Sequence, residues 1–114
     1  MKLVIAIVQQ DVLNQVREEL IKNDISRITV SRCTGRGKAT GEETIYRGQI
    51  VVPALIPKIR LEIACNDEFV DTCVQSIMSS ARHGDGKVGD GKIFVVPLEN
   101  VYQIRTGDSG TEAI

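Results

Sequence analysis

Leu3-Val4-Ile5-Ala6-Ile7-Val8, followed by Val12, Leu13, Val16, Leu20 and Ile21 between Asp11 and Asn23, is the stretch that decides the fold. The first run is continuously apolar and rich in β-branched side chains, the pattern of a central strand buried on both faces. The second set recurs at helical spacing, with Gln15, Arg17, Glu18, Glu19 and Lys22 on the opposite side, and predicts an amphipathic helix. Past Asn23-Asp24, Ile28 and Val30 alternate with Arg27, Thr29 and Ser31, which places a half-buried strand over Ile25 to Arg32. A β-α-β unit results.

The same pattern returns further on. Ile59, Leu61 and Ile63 alternate with Arg60 and Glu62, and a second helix carries Phe69, Val70, Cys73, Val74, Ile77, Met78 and Ala81. Asn66 or Asp67 is placed to cap its first turn. A further apolar run, Ile93 to Val96, follows, and Val101 to Arg105 is expected to add a short strand after Pro97. Two such units in one chain predict an α+β fold, the ferredoxin-like β-α-β-β-α-β sandwich, with both helices on one face of a four-stranded antiparallel sheet. The other face, where Thr29 emerges, must be solvated or buried in an oligomer.

Size and composition agree with a single domain over residues 1–114. At 114 residues, 42% hydrophobic and 25% charged, roughly two-thirds of the unfolded surface can be buried, enough for a core without covalent staples. A net charge of -1 excludes a bulk electrostatic case for nucleic acid or an anionic membrane, so charge recognition must be local. Aromatic residues at 4%, with no tryptophan, argue against a base-stacking surface. The apolar N-terminal run is too short to span a bilayer. Cys33, Cys65 and Cys73 match neither a disulfide framework nor a zinc motif, and this usage fits a reducing cytoplasm, with Cys65 and Cys73 in the core.

Two segments exceed what the sandwich needs. The connection from Cys33 to Lys58 is longer than the roughly 12–15 residues of an unstructured link in a compact domain. It ends in an apolar run, Ile50 to Pro57, expected to pack on a partner protein or back on its own domain. The second segment reads His83-Gly84-Asp85-Gly86-Lys87-Val88-Gly89-Asp90-Gly91-Lys92. Gly84 to Gly89 spells G-x-G-x-x-G, but it follows a helix and enters a strand, the reverse of a dinucleotide fingerprint. Gly86 to Lys92 spells most of a Walker A loop, yet Ile93 replaces the magnesium-binding hydroxyl and no helix follows. What remains is physical: glycines that free backbone amides, and Lys87 and Lys92, able to wrap a phosphate. Gly35, Arg36, Gly37 and Lys38 form a second glycine-and-cation loop, and the two facing each other would make a polyphosphate clamp. His83, at a loop tip, is read as solvent-facing rather than catalytic. No Ser-His-Asp set, paired carboxylates or metal-ligand cluster can be assembled.

Thr44-Ile45-Tyr46-Arg47-Gly48, Pro57-Lys58-Ile59, Val70-Asp71-Thr72-Cys73-Val74, Ile104-Arg105-Thr106-Gly107 and above all Gly89-Asp90-Gly91-Lys92-Ile93-Phe94-Val95 resemble the PII signal-transduction proteins, in register over nearly the whole chain. The resemblance implies a homotrimer whose open sheet faces line the centre, with an adenine nucleotide (ATP, ADP or AMP) as ligand in each subunit cleft and no other cofactor. It implies that Gly35, Arg36, Gly37 and Lys38 meet the phosphates together with Lys87, Val88, Gly89, Asp90, Gly91 and Lys92. Thr29 and Arg105 of a neighbour would complete the site, with Ile7 and Ala64 beside the adenine and ribose. Within residues 33–58, the stretch from about Thr40 to Ala54 would be the effector loop that docks on a transporter, channel or metabolic enzyme, and residues 106–114 a C-terminal tail.

Departures from the family qualify this. Tyr46-Arg47-Gly48-Gln49-Ile50-Val51 lacks the hydroxyl that uridylylated members modify, and Gln49 stands where cyanobacterial members phosphorylate a serine. Ala39 replaces the glutamine that helps hold the magnesium chelated by 2-oxoglutarate, and a methyl group cannot ligate a hard cation. Lys58, which pairs with a 2-oxoglutarate carboxylate in the family, is retained as an anion site. Gln103 stands where a second phosphate-binding arginine is common, so ADP or AMP is expected to rival ATP. The glycine loop is longer than the family's, with Gly84-Asp85-Gly86 ahead of Lys87. The expected function is a non-enzymatic, nucleotide-sensing regulator, responsive to carbon status, bicarbonate or another anion. The alternatives are an ordinary nitrogen-status regulator or a slow ATPase using Asp90. A structural trimer of the divalent-cation-tolerance type leaves the glycine loops unexplained.

Overall fold

The computed structural model describes residues 1–36, 44–46, 49–51 and 55–114, with the backbone alone for 44–46 and 49–51. Its elements run β1 (Lys2–Val8), a 3-10 turn (Gln10–Val12), α1 (Leu13–Lys22), β2 (Thr29–Gly35), β3 (Thr44–Tyr46), β4 (Gln49–Val51), β5 (Ile56–Cys65), α2 (Asp67–Ala81) and β6 (Gly91–Pro97), with a closing 3-10 turn at Gly110–Ala113. The main sheet has the order β2-β5-β1-β6, antiparallel throughout, which is the ferredoxin-like arrangement expected from two interleaved β-α-β units.

Register sorts the side chains by face. Val4, Ala6 and Val8 pair with Ile63, Leu61 and Ile59, and all are buried under the helices. Val16 and Leu20 of α1 and Cys73 and Ile77 of α2 close this core from above. The buried positions of Cys65 and Cys73 agree with their reading as core residues.

β1 departs from the expectation of burial on both faces. Leu3, Ile5 and Ile7 point away from the helices and are only partly covered, because both helices lie over the other side. Their neighbours in β6 on that open face, Val96, Phe94 and Lys92, are exposed, and an Arg60–Glu62 ion pair of 2.8 Å lies there too.

Three boundaries differ from the sequence reading. β2 starts at Thr29, not Ile25: Asp24 takes a positive φ of 63° and the Ile25 amide folds back onto the Leu20 carbonyl, so Ile25 caps the core instead of opening a strand. Val101 to Arg105 forms no strand: only an isolated bridge joins Tyr102 to Ser109, around a turn closed by Gln103 and Asp108. Asn66 occupies the N-cap of α2, yet its side chain makes no capping bond and donates to the Thr111 carbonyl instead. The long connection holds a short hairpin of its own, in which β3 pairs with β4, Tyr46 opposite Gln49.

Candidate functional site

The C-terminal end of β1, the start of β5 and the entry to β6 meet at one end of the sheet, and the loop 83–90 lies over that end. The pairing of Val8 with both Ile59 and Gly91 brings these elements together. Gly91 holds the loop down: its φ is +122°, and a β-carbon built there would stand 1.8 Å from the Ile7 carbonyl oxygen. Only glycine fits so close a backbone approach.

Two side chains then fix the loop from below. Gln9 donates through Nε2 to the Gly89 carbonyl at 2.7 Å, and Lys58 donates through Nζ to the same oxygen at 3.2 Å. The amides of Asp90 and Lys87 are used within the loop, on the Lys87 carbonyl at 3.1 Å and on Asp90 Oδ2 at 2.8 Å. The amides of Val88 and Gly89 find no acceptor among the described residues. Gln9, Gln10, Asp11, Pro57, His83, Lys87, Val88 and Asp90 line an open cleft of about 440 Å³ here.

His83 is not a free loop-tip imidazole. Its side chain is 28% exposed, its Nδ1 lies 2.6 Å from Asp90 Oδ1, and its Nε2 lies 2.9 Å from Asp11 Oδ2. The hydrogen bond to Asp11, then that to Asp90, pushes the His83 pKa upward. The Lys87 amide donates to Asp90 Oδ2 at 2.8 Å, and that bond, with help from His83, holds the Asp90 carboxyl below its usual range. Among the described residues no group of three or more His, Cys, Asp and Glu side chains is arranged to hold a metal ion, and the carboxylate oxygens of Asp11 and Asp90 converge on His83 instead.

A family model described as "Nitrogen regulatory protein P-II" matches residues 1–108. The chain belongs to the PII family. Over its full length it is 47% identical to nitrogen regulatory protein GlnK1 of Methanosarcina mazei, of which it covers 97%. It is 41% identical to nitrogen regulatory protein P-II of Pasteurella multocida and 40% to nitrogen regulatory protein P-II 1 of Escherichia coli, covering 100% of each. A signalling regulator on a ferredoxin-like fold is therefore what the chain is, and no helix among the described residues is long and apolar enough to cross a membrane.

Within this PII chain the expected site residues fall into separate groups. Ile7, Gly35, Lys58, Gly91 and Lys92 gather at the loop end of the sheet: Ile7 is the register partner of Lys92, Cys33 that of Lys58, and Gly35 packs near the Lys58 side chain. Arg36 is exposed at the end of β2, and Lys87 and Val88 are exposed on the loop. Thr29 and Ala64 lie elsewhere on the open face. Thr29 pairs with Glu62 and Ala64 with Leu3, so Ala64 is four positions along β5 from Arg60, the partner of Ile7, or roughly 13 Å. Arg105 sits exposed at the tip of the turn after β6, and Gln103 spends its Oε1 on the Thr106 hydroxyl at 3.0 Å. Gly37, Lys38 and Ala39 lie outside the described residues, as does most of the loop from Thr40 to Ala54.

The sequence reading missed the ties that shape the loop: Gln9, Asp11 and the bridging role of His83. Gln9 and Asp11 stand just beyond a strand end, but their partners lie 80 and 72 positions away, a spacing that no local pattern encodes.

Proposed function

We propose that this PII chain acts as a cytoplasmic, non-enzymatic homotrimer that binds an adenine nucleotide (ATP, ADP or AMP) in clefts between subunits and signals to a target protein through residues 33–58. The observation that carries the reading is the loop end of the sheet. There a glycine segment with its Gly89 carbonyl tied inward leaves adjacent amides and the cations Lys87, Lys92 and Arg36 to receive phosphates. Thr29 and Arg105 stand apart from that end, as residues serving a neighbour's nucleotide would, and Ala64, expected with Ile7 beside the adenine and ribose, stands roughly 13 Å along β5 from the position paired with Ile7. A ligand that contacts the base of the connection in one conformation shifts its population, and the target reads that population.

The relatives are named as nitrogen regulatory proteins, which favours nitrogen status over bicarbonate as the signal. Lys58 counts for either, since its ammonium reaches the glycine loop at the Gly89 carbonyl. An ATPase reading is weaker: the Asp90 carboxylate already accepts from the Lys87 and His83 amides and faces the imidazole, which leaves it poorly placed as a general base.

Calorimetric titration with ATP, ADP and AMP, with and without magnesium, then with 2-oxoglutarate or bicarbonate, tests the reading. The expected result is one nucleotide per subunit, with little 2-oxoglutarate synergy because Ala39 cannot hold magnesium. Magnesium-dependent synergy with 2-oxoglutarate would make this an ordinary nitrogen sensor. No adenine nucleotide binding would sink the proposal.

A further inference from the structure

His83 bridges two segments that lie outside the sheet, beyond the paired strand ends Val8 and Gly91. Asp11 belongs to the 3-10 turn after β1, and Asp90 belongs to the far side of the glycine loop. Both ring nitrogens face carboxylate oxygens, at 2.9 Å and 2.6 Å. A neutral imidazole has one N–H and one lone pair, so it would turn that lone pair on one of the two carboxylates. Only the imidazolium, with two donors, satisfies both contacts at once.

We propose that His83 is a positioning residue for the glycine loop: its imidazolium, gripped by Asp11 on one side and Asp90 on the other, holds residues 83–92 in the phosphate-receiving form, and nucleotide affinity falls as pH rises and the clasp opens. The ligand in this inference is the adenine nucleotide proposed above, and it rests on that reading.

Loss of the proton acts unequally on the two contacts. Asp90 keeps the amides of Lys87 and His83, whereas the side chain of Asp11, 67% exposed, is held to the loop through His83. The Asp11 tie is therefore the one released, and the loop is left with Gln9 and Lys58 on the Gly89 carbonyl as its anchors. Charge works in the same direction. The surrounding groups are Asp11 from the 3-10 turn, Lys58 from β5, Arg82 after α2, Asp85, Lys87 and Asp90 within the loop and Lys92 at the start of β6. While protonated, His83 offsets one of the two carboxylates it touches; once neutral, both face the cleft uncompensated and repel a polyphosphate. Both effects weaken binding above the ordinary histidine value of 6.5, since the two carboxylates hold the proton on longer.

Two measurements test this. The first is calorimetry with ADP between about pH 6 and about pH 9 on wild type, His83→Gln and Asp11→Asn. The ligand's own phosphate titration is common to all three, so the ratio of variant to wild-type affinity isolates the protein's part. Wild type should lose roughly fivefold more affinity over this range than either variant, the scale of one partly solvated charge contact. The second needs no nucleotide: by NMR, the Lys87 and Gly89 amides should move with the His83 imidazole titration at one midpoint, and Asp11→Asn should lower that midpoint. Parallel affinity profiles in wild type and variants, or loop amides that ignore the imidazole, overturn the clasp. If the amides follow but ADP binds at no pH, the loop positioning stands and the nucleotide reading falls.

Discussion

Gly91 approaches Ile7 so closely that its two α-hydrogens are all the space allows: a β-carbon would lie 1.8 Å from the Ile7 carbonyl oxygen and 3.0 Å from its carbon. The contact is backbone on backbone, so no side chain can swing away to relieve it. It joins the end of β1 to the start of β6 and sets where the glycine loop ends.

Gly91→Ala is therefore expected to cost at least about 3 kcal/mol, from the positive φ of +122° together with the displacement of a central strand. Urea denaturation measures it, and an unchanged midpoint would show that the loop end of the sheet yields more easily than its packing implies. The same variant should lose nucleotide binding even at temperatures where it stays folded.

Stability should depend on pH through two groups of the clasp, in opposite senses. The folded-state pKa of His83 is raised, first by Asp11 and then by Asp90, so its contribution is full below the unfolded value of 6.5 and is lost as pH rises through the folded value. That of Asp90 is lowered, chiefly by the Lys87 amide, so its contribution is full above about 3.8 and is lost as pH falls through the folded value. Both act together between these limits. Thermal unfolding followed against pH should show a shoulder above pH 6.5 that His83→Gln removes; a shoulder that survives the substitution assigns it to another group.

The core makes a sharper test of packing. Leu61 is fully buried in the middle of β5, between Ala6 and Val30 in the register. Leu61→Ala should destabilise by about 2–5 kcal/mol, with the higher end expected if the surrounding β-branched side chains cannot collapse into the space.

Burial also orders the three thiols. The Cys73 pKa is pushed up to about 12, mainly by burial and then by the charge of Cys65, and burial raises Cys65 as well. Cys33 alone is partly exposed. In the native protein a thiol reagent should label Cys33 and reach the other two only on unfolding. Fast native labelling of Cys73 would mean that α2 opens locally at low cost.

Much of the architecture was legible in the sequence because apolar spacing reports burial directly: β1, α1, α2 and β5 follow from Val4, Val16, Cys73 and Leu61 and their periods. The failures have local causes. Ile25 looks like the start of a strand by hydrophobicity, yet the reversal at Asp24 turns it into a plug under α1. Val101 to Arg105 is expected as a short strand after Pro97, but the turn between Gln103 and Asp108 leaves it only the isolated bridge from Tyr102 to Ser109. For the candidate site, the glycines and lysines were readable as composition. The Asp11–His83–Asp90 bridge was not, because it depends on which strand ends the sheet topology brings together.

The open sheet face gives the last expectation. Ile5 pairs with Phe94 and Leu3 with Val96, and these side chains form an apolar strip opposite the helices, with Phe94 48% exposed. A strip of this kind on a small chain calls for a cover, and copies of the same face are the cover in the proposed homotrimer. Arg60 and Glu62, paired with each other at 2.8 Å beside the strip, can enter such an interface without leaving a lone charge behind. Phe94→Lys would bury an unpartnered ammonium there three times over, one per subunit, while leaving the helix-side core untouched. Sedimentation should then show monomers that keep their far-ultraviolet dichroism. A stable trimer of Phe94→Lys would place the interface on another surface, and with it the clefts in which Thr29 and Arg105 are proposed to meet a neighbour's nucleotide.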